Sequence, residues 1–106
     1  METSQRTLGP VATRVLFENE RVRIWEMDLA PGARSATHRH DLDYVIVQIA
    51  GDRIAATPEP DTRGTFRDYI EGDVEPGKTR FVRQGGIETA INVGRRGYRE
   101  ILIELK

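Results

Sequence analysis

The stretch THRHDLDYVIVQIAG, residues 37–51, contains both histidines of the chain, at the head of an apolar run. Tyr44 to Ala50 is rich in Val and Ile and stops at Gly51, the pattern of a short β-strand. Side chains alternate along a strand, so Tyr44, Ile46 and Gln48 share one face and Val45, Val47 and Ile49 the other. Extended backward, the first set shares its parity with His38, His40 and Leu42. A strand that begins near His38 therefore points both imidazoles, Tyr44 and Gln48 to one side. Two imidazoles spaced this way can grip one divalent ion. A His-x-His pair can equally be a polar strand end. Tyr44 and Gln48 weigh against that, because polar groups on an inward face are costly unless they are used.

Working outward, the rest of the chain reads as more short strands. The expected strands are Arg14–Phe17, Val22–Leu29, Tyr44–Ala50, Arg53–Thr57, Thr65–Ile70, Lys78–Val82, Ile87–Val93 and Tyr98–Leu105. Gly-, Asn- and Asp-containing breaks separate them at intervals of about ten residues, the mark of an all-β sandwich or barrel. The organisation expected is a single domain over residues 1–106, with 1–13 as an irregular arm or edge segment. The Val45, Val47, Ile49 face is wholly apolar, and Ile101, Ile103 and Leu105 form a similar face on the last strand, where Leu102 breaks the polar side. Two such faces on a chain this short favour a homodimer. Trp25 alternates with Met27 and Leu29 and is read as core.

Composition narrows the function. The 106 residues carry a formal net charge of −1, with acidic and basic residues interspersed, so nothing favours nucleic acid or a membrane surface. The absence of cysteine excludes disulfides, thiolate metal sites and thiol nucleophiles. No run approaches the length of a membrane span and the first fifteen residues do not resemble a signal peptide, so a cytoplasmic location is expected.

The spacing of two segments resembles that of the cupin superfamily. The first reads Gly32, ARSAT, His38-Arg39-His40, DLD, Tyr44, VIVQIA, Gly51, with Tyr44 where the family usually has Glu. The second reads Gly77, KTRFV, Arg83-Gln84-Gly85, GI, Glu88, TAI, Asn92, with Arg83 in place of Pro and Glu88 in place of His. The resemblance runs from about Val15 to Lys106 and is similar to small single-domain bacterial cupins of the kind labelled beta-alanine degradation proteins. It implies a cupin jelly-roll barrel, the double-stranded β-helix. It also implies a metal site made by His38, His40 and Glu88, the two-imidazole, one-carboxylate donor set of non-haem iron(II) and catalytic zinc centres. One divalent ion is expected, iron(II) first, with zinc, manganese or nickel as other choices.

Other readings stay open beside this one. Tyr44 could be a fourth ligand, a proton donor or a hydrogen-bond partner of the substrate. Glu88 could instead be a surface residue or, in a cupin without metal, pair with His40 or Arg83. Gln48 could line a pocket or satisfy a backbone group. Arg83 could be solvated or reach an anionic substrate. Asn92 is expected to fix a turn, and Asp41 could support a histidine ring. Three functions follow: a metal-dependent enzyme on a small molecule (an oxygenase with iron, an isomerase, cyclase or lyase with other ions), a non-catalytic small-molecule-binding cupin, or a metal-free acid/base enzyme using Tyr44 and Glu88.

Overall fold

The computed structural model describes residues 6–106. Nine strands form the described chain: β1 Arg14–Glu18, β2 Val22–Leu29, β3 His38–Arg39, β4 Tyr44–Ala50, β5 Arg53–Pro58, β6 Ile70–Asp73, β7 Thr79–Val82, β8 Ile87–Asn92 and β9 Tyr98–Leu105. They make two antiparallel sheets, ordered β1-β2-β9-β4-β7 and β3-β8-β5-β6. The inner faces of both sheets line one cavity, which gives the all-β jelly roll expected.

The glycines of the two motifs are what turn the chain. Gly32, Gly51, Gly77 and Gly85 are the four glycines with positive φ, at 81°, 131°, 89° and 109°. A side chain is disfavoured in that conformation. Gly85 is also tightly enclosed: a Cβ there would lie 2.9 Å from the Arg63 carbonyl oxygen.

The core lies against the inner face of the five-stranded sheet, with Met27, Leu29, Tyr44, Tyr98 and Leu102 buried. Val11 and Ala12 of the strandless segment 6–13 join them, and Gly9 N–H donates to the Thr37 carbonyl at 2.8 Å. Trp25 packs at the edge of this cluster, and its indole N–H donates to Glu104 at 2.7 Å. Asn92 is fully buried: its amide donates to the Leu29 and Arg96 carbonyls and its oxygen accepts the Gly94 N–H.

Two expectations are corrected. The strand expected at Thr65–Ile70 forms at Ile70–Asp73 instead. Residues 71–73 read as a turn because of Gly and Asp, but Arg53 on β5 bridges Glu71 at 2.5 Å and Asp73 at 2.6 Å and fastens them as an edge strand. The His-x-His pair and Tyr44 also do not share a strand. β3 pairs with β8 in one sheet, and the chain turns a corner before β4 enters the other.

Candidate metal centre and its cavity

His38 lies opposite Glu88 in the β3–β8 register, so two of the three expected ligands are cross-strand neighbours. His40 follows just past the end of β3, held by reciprocal backbone bonds: its N–H donates to the Gly86 carbonyl and its carbonyl accepts from Gly85 N–H, both 2.8 Å. One ligand atom from each of His38, His40 and Glu88 falls within 4.8 Å of the others. Both histidines are buried and Glu88 is half-buried.

The surroundings fit these groups for a role as metal ligands. His38 Nδ1 lies 2.8 Å from the Ala36 carbonyl oxygen. A carbonyl only accepts, so Nδ1 carries the proton and Nε2 keeps its lone pair free. Burial, more than any other influence, pushes the His38 imidazole below its ordinary value, which favours the neutral form a metal requires. Burial alone would push Glu88 up, but the neighbouring imidazoles, His40 before His38, outweigh it and hold the carboxyl below its usual range. His40 Nε2 is 3.7 Å from Glu88 Oε2, beyond hydrogen-bond length, and the other ring nitrogen is buried without a partner. A shared ion between Nε2 and Glu88 suits that spacing.

Tyr44 stacks on the His40 ring at 4.0 Å between centroids and 16° between planes. The corner between β3 and β4 brings them together, so the expectation that His38, His40, Tyr44 and Gln48 face one pocket is met across two sheets. Burial, helped by the charges of Glu88 and Glu100, pushes the Tyr44 phenol far above its ordinary value and keeps it protonated. Gln48 does both things considered for it: it lines the cavity and accepts the Glu75 N–H at 3.0 Å. Asp41 pairs with Arg39 at 2.8 Å and leaves the histidine rings alone. Arg83 is exposed and off the cavity wall, because β7 ends at Val82. The arginine on the wall is Arg80, which pairs with Ile46 on β4.

The cavity has a volume of about 170 Å³, suited to a small ligand. Beyond the triad it is walled by apolar groups, including Met27, Ile46 and Leu102, and by a second polar pair, Tyr98 and Glu100. The Tyr98 hydroxyl donates to Glu100. Burial pushes the Glu100 carboxyl up to about 7, although the Tyr98 bond opposes the shift. The sequence reading missed this pair. Both have the parity of Leu102, and that was the one available signal that their side of β9 faces inward.

No protein-family model matches the chain, and no curated protein matches it significantly. Solved structures do. A cupin domain from Bordetella pertussis Tohama I superposes with a TM-score of 0.74 at 24% identity, covering 97% of this chain and 99% of that one. The chain has the cupin fold. A cupin superfamily protein from Desulfitobacterium hafniense matches with a TM-score of 0.60 at 18% identity, over 97% of this chain and 93% of that one. The polyketide cyclase RemF from Streptomyces resistomycificus matches at 0.58 and 15% identity, over 82% and 56%. Within this fold the triad lies at the junction of the two motifs: His38 and His40 come from the first and Glu88 from the second.

Proposed function

We propose that the protein is a metal-dependent enzyme acting on a small organic molecule in its cavity. His38, His40 and Glu88 hold one divalent ion, iron(II) being the first choice and zinc, manganese or nickel the others this donor set suits. The observation that carries the reading is the convergence of the three ligand atoms within 4.8 Å on the cavity wall. Bound iron(II) would supply oxygenase chemistry, and the other ions the Lewis acidity for isomerisation, cyclisation or lyase reactions.

The chain's own groups set the rest. Ala36 fixes the His38 tautomer that leaves Nε2 free. The Tyr44 hydroxyl, held protonated beside His40, can donate to a substrate oxygen. The apolar part of the wall, Met27, Ile46 and Leu102, lowers the polarity around these contacts and strengthens them. A cupin that binds a small molecule without turnover is the second reading. It is favoured by the His40–Glu88 approach at 3.7 Å, which gives the carboxylate a polar neighbour with no ion.

The test is elemental analysis of protein purified without added metal. The enzyme reading expects close to one ion per chain, lost on His38→Ala and on Glu88→Ala. Unchanged metal content in Glu88→Ala refutes the three-ligand site. Metal-free protein that still binds small molecules favours the second reading. We also propose that a second copy of this chain covers the outer face of the five-stranded sheet. There Phe17, Ile24, Ile103, Val45 and Phe81 form one apolar row across all five strands, with Phe17 and Phe81 more than half exposed.

A further inference from the structure

Two cations on the cavity wall lack a carboxylate partner among the described residues, and they identify a ligand class. Four carboxyl groups line the wall: Glu71, Asp73, Glu88 and Glu100. Arg53 already pairs with both Glu71 and Asp73, at 2.5 and 2.6 Å. Glu88 faces His40, and Glu100 accepts the Tyr98 hydroxyl. The wall cations are Lys78 and Arg80. Lys78 reaches only the Asp73 backbone carbonyl, at 3.5 Å, and Arg80 has no carboxylate within ion-pair distance among the described residues. Its guanidinium instead lies over the Phe66 ring, 5.5 Å from the centroid, which supports the group while leaving its N–H edge open. The register places Arg80 on the same face as Ile46 and Leu102, and the residue is exposed at the cavity mouth.

We propose that Arg80 anchors a carboxylate of a small organic acid whose other end reaches the His38–His40–Glu88 group. The planar guanidinium matches a carboxylate with two parallel hydrogen bonds, and Lys78, two residues away on the same face, adds positive charge at the mouth. The cavity volume restricts the ligand to a few carbon atoms. This inference rests on the reading of the cavity as a ligand site, but not on the presence of an ion.

Titration calorimetry with acetate, lactate, malonate and succinate, each beside its neutral amide, tests it. Inorganic phosphate is run in parallel, and metal per chain is measured on the same samples. At least one acid should bind the wild type, and its amide should bind far more weakly. Arg80→Met should weaken the acid by roughly 10- to 100-fold, the range expected for a charge-assisted pair, with Arg80→Lys in between. Metal per chain should not change, and circular dichroism should show both variants folded. The proposal is overturned if no acid binds with a Kd below about 10 mM, if Arg80→Met binds as tightly as wild type, or if phosphate outcompetes every carboxylate. Arg80-dependent acid binding in protein that carries no metal would sink the metal reading and leave this one standing.

Discussion

Replacing Glu100 by Gln should stabilise the protein, and the gain should grow with pH. Glu100 is 5% exposed, and burial lifts its carboxyl from an ordinary 4.5 to about 7. A carboxyl that holds its proton more tightly when folded favours the native state at low pH. That advantage is complete below the unfolded value and is lost as pH rises towards the folded one. At about 1.4 kcal/mol per pKa unit, the loss between pH 4 and pH 8 comes to about 3 kcal/mol. Glutamine keeps an oxygen to accept the Tyr98 hydroxyl and has no proton to lose. The variant should therefore gain about 3 kcal/mol over wild type across that window, most of it before pH 7 and almost none above pH 7.5. Urea unfolding at half-unit pH steps measures it, with Trp25, the single tryptophan, as the fluorescent reporter. Titrations of groups that do not feel the Glu100 charge cancel in the difference between the two proteins. A difference that stays flat from pH 4 to pH 8 refutes the reasoning. A cost of this size at neutral pH is a large share of a domain's net stability, and its position on the cavity wall fits a group kept for chemistry.

Gly85→Ala should cost more than Gly32→Ala by calorimetric melting. Both have positive φ, but a Cβ at 85 meets the Arg63 carbonyl at 2.9 Å and one at 32 meets nothing within 4 Å. The expected costs are roughly 3 and 1 kcal/mol, and equal melting points would refute the packing argument. Asn92→Ala removes three hydrogen bonds at a fully buried position. It should lower stability by about 2–4 kcal/mol in chemical denaturation, and a loss below about 1 kcal/mol counts against it. Phe81→Glu, at a residue 54% exposed, should leave folding intact and convert the proposed dimer to a monomer in light scattering. A monomeric wild type removes the proposed interface.

Much of this molecule can be read from one dimension. The spacing from Gly32 to Gly51 and from Gly77 to Asn92 marks the cupin turns, and the four motif glycines adopt the positive φ that explains their presence. His38, His40 and Glu88 could be singled out because their slots are counted from those glycines. The β2 and β4 boundaries follow from apolar runs between turn residues. These are local properties: a backbone angle, a two-residue period, a residue count.

The remainder depended on which strand lies beside which. The register of β7 against β4 puts Arg80 beside Ile46 at the cavity and Phe81 beside Val45 on the outer face, both of them exposed. β9 shows an apolar Ile101–Ile103 face, but its sequence does not show what the opposite face lines. Its place between β2 and β4 turns Tyr98, Glu100, Leu102 and Glu104 inward. Hydrophobicity indicates which face of a strand is covered only when one face meets water. Here the outer face is apolar and the inner one carries polar groups around a cavity. The sequence by itself therefore determined the fold and the grouping of His38, His40 and Glu88 through turn geometry and spacing. Only the tertiary structure decided that Arg80, Tyr98 and Glu100 complete the cavity, because strand pairing between distant segments sets which alternate side chains point inward.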